Sequence, residues 1–287
     1  MAAVTEAAGR RTVGAGPWRI AYHEAGQGQP LVLVHGSGPA TTAWSAFGSI
    51  IQSLAERFRV LAPDMPGWGN STATPFDSAR QVPALVSFLD SVGIETAAVA
   101  GNSLGGMTAI RLAAEHPDRV SHLITLSAPA PGTDTFAPAD LPTEAQMALL
   151  ATYQDPSSAN FRRLTSALVF DQSLATDEPA EHRAAAARAH PEHLRNFLTG
   201  IARTGAAATT YLTLAERLAQ LATPSLVIHG RDDRLVGYES GLRLVAALRN
   251  SRLLLLNRCG HWPQVEHAHE VGRTIAGFIE PPAETGR

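Results

Sequence analysis

The sequence predicts an α/β fold: a mostly parallel sheet with helices on both faces, interrupted once by a helical insertion. Three observations predict it. Short runs rich in Val, Leu and Ile recur along the 287 residues, each bounded by Gly or Pro. Strands buried on both faces of a parallel sheet have this character. Amphipathic stretches separate the runs, as helices crossing between parallel strands require. The alternation then stops between Pro131 and about Arg217, where no strand-like run occurs and Ala, Leu, Arg and Glu dominate.

In chain order, the strand candidates are Leu31–Val34, Val60–Ala62, Ala97–Ala100, Leu123–Leu126, Leu226–Ile228 and Leu253–Leu256. Ser45–Arg57, Gln81–Val92 and Gly241–Leu248 read as helices between them. Within the interruption, Pro142, Pro156, Pro179 and Pro191 stand near helix starts, where a missing N–H does no harm. About four short helices are expected there, with the alanine run Ala184–Ala187 inside one of them. The expected organisation is a core of residues 1–131 and 217–287 and a helical cap of residues 132–216.

Composition narrows the function. Hydrophobic residues at 45% and charged residues at 17% describe a globular chain with enough apolar surface for a core. The net charge of −3 is spread along the chain, so no basic stripe points to nucleic acid. Cys259 is the only cysteine, which rules out an internal disulfide and fits a reducing compartment. Met1–Gly16 lacks the pattern of a signal peptide, and no apolar run is long enough to span a bilayer. The expectation is a cytoplasmic protein acting on a small molecule, away from membranes.

Gly101-Asn102-Ser103-Leu104-Gly105 matches G-x-S-x-G between a strand ending at Ala100 and a helix beginning near Gly106. That is the context of a nucleophile turn. A serine there sits on a sharp bend, and glycines on both sides let neighbouring chains approach. The new helix aims its N-terminal N–H groups at the place where negative charge develops. Ser103 is therefore the expected nucleophile of a serine hydrolase.

Its partners should follow in the order acid, then histidine. The strand Leu226-Val227-Ile228-His229-Gly230 runs into Arg231-Asp232-Asp233-Arg234, which offers two candidate acids. The strand Leu253–Leu256 leads to Cys259-Gly260-His261-Trp262. A histidine on this loop can reach back over the serine, take its proton and return it to the leaving group. His35-Gly36-Ser37-Gly38-Pro39 follows the first long core strand. Such a loop supplies one oxyanion N–H and the residue after the nucleophile the other, so the candidates are Ser37 or Gly38, and Leu104. His35 itself reads as structural.

These residues resemble the α/β-hydrolase superfamily and, within it, the meta-cleavage product hydrolases, which split carbon–carbon bonds in vinylogous diketones. The resemblance runs from about Tyr22 to Ile279. It rests on the His35 loop, Asp64-Met65-Pro66-Gly67-Trp68-Gly69, Gly101–Gly106, Phe170-Asp171-Gln172-Ser173 and Gly230–Arg234. The most distinctive piece is Cys259-Gly260-His261-Trp262-Pro263-Gln264-Val265-Glu266-His267. The resemblance implies an eight-stranded sheet, no cofactor or metal, and a homodimer or higher homo-oligomer. It also favours Asp233, third after the glycine, over Asp232. It implies that Asn102 hydrogen-bonds the substrate's oxygen-bearing head, that Trp262 lines the pocket, and that Arg183 binds a dienoate carboxylate. A guanidinium suits that partner because it is planar, bidentate and stays charged.

The chain departs from the family at one place. An asparagine is usual two residues after the tryptophan of the loop; here Trp44 is followed by Ser45 and Ala46. The small Gly-Ala pair after the proline is replaced by Ala40-Thr41. Three readings of function result: a C–C hydrolase acting on a vinylogous ketone, a carboxylesterase or lactonase, and a non-catalytic ligand-binding protein of the same fold. The cap would shape the pocket, with Leu141, Met147, Phe161, Phe170 and Phe197 as apolar candidates.

Overall fold

In the computed structural model the described residues are 5–130, 142–203, 214 and 216–280. Eight strands form one open sheet in the order β1-β2-β4-β3-β5-β6-β7-β8. They are β1 Arg10–Ala15, β2 Trp18–Ala25, β3 Gln29–Val34, β4 Phe58–Pro63, β5 Ala97–Asn102, β6 Val120–Leu126, β7 Ser225–Gly230 and β8 Ser251–Leu256. From β4 across to β8 every pairing is parallel, whereas β2 pairs antiparallel with both β1 and β4. The six apolar runs all lie within strands. The hairpin β1–β2 escapes the apolar-run pattern because β1 is mostly exposed and polar. Its turn is Gly16-Pro17, with Gly16 at φ 60°, a value that favours glycine.

The helices between the strands are α1 Ala43–Leu54, α2 Ser78–Ser91, α3 Leu104–Glu115 and α8 Glu239–Ala247, and α9 Pro263–Glu266 and α10 Ala268–Ile279 follow the last strand. Alternate residues of β3 show how both faces are covered. Val32 and Val34 belong to one buried core with Leu85 and Phe88 of α2, while Leu31 and Leu33 belong to the other with Phe47 and Ile50 of α1. All of these side chains are fully buried, and each contributes roughly 1.5–3 kcal/mol of hydrophobic stabilisation. Helix α1 begins at a capping box, in which Thr42 accepts the Ser45 N–H and the Ser45 hydroxyl accepts the Thr42 N–H.

Between β6 and β7 stand four helices: α4 Glu144–Gln154, α5 Ser158–Leu168, α6 Asp177–Ala189 and α7 Pro191–Arg203. Pro191 opens α7 and Pro156 precedes the Ser157 cap of α5. The expected cap boundaries at 132 and 216 fall in or beside stretches outside the described residues, as does Leu141. Helices α4 and α5 share a small core of Ala145, Ala148, Leu164, Ala167 and Leu168, against which Leu235 and Trp262 pack. This contact sets the helical segment over the loops after β7 and β8. Among the described residues no helix is long and apolar enough to cross a membrane.

Candidate active site

Ser103 sits between β5 and α3 with φ 56° and ψ −120°, a strained conformation for a residue with a Cβ. The flanking glycines are required by close approach. A Cβ on Gly101 would lie 2.2 Å from the Gly105 carbonyl oxygen, and one on Gly105 would lie 2.0 Å from that of Val34. The turn is anchored by the Ser103 N–H, which donates to Leu126 O at 3.0 Å.

The two aspartates after β7 part company. Asp233 is buried, and its Oδ2 lies 2.8 Å from His261 Nδ1. Its Oδ1 accepts the N–H groups of Leu235 at 2.8 Å and Val236 at 3.0 Å. Burial alone would raise this carboxyl's pKa, but the imidazoles of His261 and His229 outweigh it and hold the group well below the usual carboxylate range. An ionised Asp233 keeps the His261 proton on Nδ1 and leaves Nε2 free to accept one. Asp232 instead accepts the Cys259 N–H at 3.3 Å and steadies the loop. Burial pushes the Cys259 thiol up, so it stays protonated and offers no competing nucleophile.

His261 is positioned by the helical segment as well as by the sheet. Its N–H donates to Leu168 O, at the end of α5, at 2.7 Å. Glu266 adds a clasp. One carboxylate oxygen accepts the Gly260 N–H at 2.7 Å, and the other accepts those of Phe170 at 2.6 Å and Asp171 at 2.9 Å. Two of the motifs that carry the family resemblance are thus bonded to each other. The role of Glu266 was not visible in the sequence, although the residue lies within the quoted motif.

Gly36 brings the loop after β3 against Ser103: a Cβ there would lie 3.1 Å from the Ser103 Cβ. His35 pins the loop from behind, with Nδ1 2.7 Å from Gly36 O and Nε2 accepting the Met65 N–H at 2.9 Å. Asp64 fixes the neighbouring segment by accepting the N–H groups of Ala43 at 2.7 Å and Asn70 at 2.9 Å. The N–H groups of Ser37 and Gly38 bond to no acceptor among the described residues. Beyond them Ala40 adopts φ 55°.

A cavity of about 260 Å³ is bordered by Gly36, Ser37, Gly38, Asn102, Ser103, Arg183, His261 and Trp262. Arg183 projects from α6 between two rings, 5.0 Å from the centroid of Phe161 and 5.2 Å from that of Trp262. Its Nη1 donates to Thr165 Oγ1 at 3.2 Å, and no acidic side chain pairs with it among the described residues. Burial lowers its pKa to about 10, which still leaves a cation at neutral pH. A partly buried guanidinium without an anion is a ready carboxylate site.

The far wall is apolar and consists of Leu149, Leu164, Leu168, Leu174, Leu235 and Val265, with Ala46 also bordering the cavity. The apolar candidates from the sequence lie elsewhere. Phe161 supports Arg183, Phe197 stacks on Tyr153, Phe170 lies under Arg258, and Met147 is exposed. Asn102 donates its amide N–H groups to Leu126 O at 3.0 Å and His261 O at 3.2 Å, so Oδ1 is its unspent polar atom. A second cavity, of about 480 Å³, lies on the outer side of Arg183 and is bordered by Trp68, Tyr153, His190 and His193. There His190, Glu192 and His193 bring potential metal-ligand atoms within 4.8 Å of one another, apart from Ser103 and His261.

The alpha/beta hydrolase fold family matches residues 29–268. The 2-hydroxy-6-oxononadienedioate/2-hydroxy-6-oxononatrienedioate hydrolase of Paraburkholderia xenovorans (strain LB400) is 35% identical over 288 residues, covering 97% of this chain and 98% of that protein. The 2-hydroxy-6-oxo-6-phenylhexa-2,4-dienoate hydrolase of Burkholderia cepacia is 35% identical over 266 residues, 91% of each chain. Among solved structures, a meta-cleavage product hydrolase from Pseudomonas fluorescens IP01 superposes with a TM-score of 0.82 at 30% identity, covering 94% of this chain and 97% of the other.

Proposed function

The chain belongs to the alpha/beta hydrolase fold family and, within it, to the meta-cleavage product hydrolases, and we propose that it cleaves a C–C bond in a ring-fission dienoate through Ser103, His261 and Asp233. One observation carries the substrate assignment: the cation of Arg183 borders the Ser103 cavity without an anionic partner among the described residues. The dienoate carboxylate pairs with Arg183, and the rest of the molecule runs past Ser103 to the leucine wall.

In this reading the enol first ketonises, which creates an electron sink. His261 takes the Ser103 proton, and Oγ adds to the distal ketone. The oxyanion is held by N–H groups of Leu104 and of Ser37 or Gly38, each worth on the order of 3 kcal/mol. The C–C bond breaks towards the dienoate half, His261 protonates the carbon that leaves, and water hydrolyses the acyl-enzyme. The acyl tail is apolar. Among the described residues the leucine wall carries no cation to receive a second carboxylate, so a phenyl or alkyl ketone suits this cavity better than a dioate.

Ala46 favours a second reading. Apolar where the family has an amide, it leaves that part of the cavity able to take a carboxylic ester or lactone. Substitution of Arg183 by Met separates the two. A C–C hydrolase loses about 10- to 100-fold in kcat/KM on 2-hydroxy-6-oxo-6-phenylhexa-2,4-dienoate, the worth of one charge-assisted pair, and keeps its rate on a short nitrophenyl ester. An enzyme that leaves the dienolate absorbance unchanged and turns over only esters belongs to the second reading.

A further inference from the structure

We infer that His229 is a positioning residue: with its proton on Nε2, it holds the turn of residues 233–236 around the Asp233 carboxylate and so keeps that carboxylate against the His261 ring. The inference rests on the proposed role of Asp233 and goes beyond it, because it adds a second histidine to the geometry of the site.

His229 stands next to the end of β7 and is fully buried. Its Nε2 lies 2.9 Å from Val236 O. A carbonyl oxygen can only accept, so Nε2 carries the ring proton and donates it. Nδ1 is buried and has no hydrogen-bond partner among the described residues. A second proton placed there would be a buried donor without an acceptor, so the ring stays neutral. Gly241 packs against the same edge: a Cβ on it would lie 3.2 Å from Nδ1.

The bond to Val236 reaches both oxygens of Asp233. Val236 donates its own N–H to Asp233 Oδ1 at 3.0 Å, beside the Leu235 N–H at 2.8 Å. The residue that His229 holds by its carbonyl is therefore one that holds the carboxylate by its N–H. The same Nε2 lies 3.5 Å from Asp233 Oδ2, the oxygen that stands 2.8 Å from His261 Nδ1. The loop after β7 shows the same division of labour. Its first half is tied to β8 and the loop beyond, with the Arg231 N–H on Leu256 O and the Asp232 N–H on Cys259 O, both at 2.8 Å. Its second half, past Asp233, is tied back to β7 by His229. The His229 and Asp233 side chains are both shielded from water, so a carboxylate that slips finds no solvent to replace its lost bonds.

His229→Met and His229→Gln are matched in length, and only the second keeps an N–H near the place of Nε2. On a short nitrophenyl ester, kcat of His229→Met should fall about 10-fold, a fraction of the roughly 10,000-fold that accompanies loss of the acid's function, with KM within about threefold. His229→Gln should hold kcat within about threefold of the unsubstituted enzyme. A double variant separates positioning from general damage. In the Asp233→Asn background there is no carboxylate left to position, so adding His229→Met should lower kcat by less than about twofold. A kcat of His229→Met within about threefold of the unsubstituted enzyme overturns the inference. So does a loss that His229→Gln shares, or one repeated in full in the Asp233→Asn background. Should His229→Met not fold, His229→Asn takes its place with the same expectations, because its shorter amide does not reach Val236. Failure of the Asp233 reading looks different: Asp233→Asn alone would then keep full kcat.

Discussion

Glu266 accepts the Gly260 N–H at 2.7 Å and, with its other oxygen, the Phe170 N–H at 2.6 Å, so one carboxylate joins the loop of His261 to the helical segment. The Asp171 N–H completes the set at 2.9 Å. The loop that carries His261 is thus held by a contact between two units distant in sequence.

Glu266→Ala leaves these backbone donors without their acceptor. It should cost about 2–4 kcal/mol of stability and lower kcat at a temperature where the variant is still folded. Urea denaturation followed by steady-state kinetics checks both. Full kcat at full occupancy of the folded state would remove Glu266 from the account.

Ala40 holds φ 55° after Pro39, where a residue with a Cβ is disfavoured. Ala40→Gly should stabilise the protein by about 0.5–1 kcal/mol, the relief of left-handed strain less the entropy glycine gains when unfolded. A thermal melt reads this as a rise in Tm. A fall would show that the Ala40 methyl contributes packing beside the outer cavity.

His35 makes stability depend on pH. Burial lowers its pKa below the ordinary 6.5, opposed in part by Asp64 and by the bond to Gly36. The folded state keeps the ring neutral where the unfolded chain takes up a proton. Stability is complete above about pH 6.5 and falls as the pH drops below it, by at most about 1.4 kcal/mol per pH unit for one group. Asp233 acts in a separate window: its depressed pKa stabilises the fold above the ordinary 3.8 and is lost only in stronger acid. Urea midpoints at successive pH values from 8 to 5 should trace this slope, to which His23, His122 and His193, lowered by burial as well, add their own, and an NMR titration should find the His35 ring taking up its proton below the ordinary range.

The central strands were legible because each is apolar on both faces, a pattern that leaves no other home for the residues. The hairpin β1–β2 was not, because its exposed half mixes charge with short apolar stretches. The turn of Ser103 and the loop of His261 are recognisable from motif order, which leaves Asp232 and Asp233 both open; the resemblance favours Asp233, the one whose carboxylate lies against the His261 ring. The part played by Glu266 could not be read there, since it acts on backbone far away in sequence, 96 residues from Phe170. The cavity wall was not legible, because helical periodicity does not say which apolar residue faces a substrate: Phe161 and Phe197 belong to the buried core, while Leu164 and Leu168 border the cavity.

The structure of Ser103→Ala bound to 2-hydroxy-6-oxo-6-phenylhexa-2,4-dienoate tests the central claim most directly. The prediction places the carboxylate in hydrogen-bond contact with the Arg183 guanidinium and the phenyl ring against Leu149, Leu164 and Leu168. It also places the distal ketone oxygen between the N–H group of Leu104 and that of Ser37 or Gly38. A carboxylate turned towards the leucine wall, or a ketone carbon out of reach of position 103, would contradict the account.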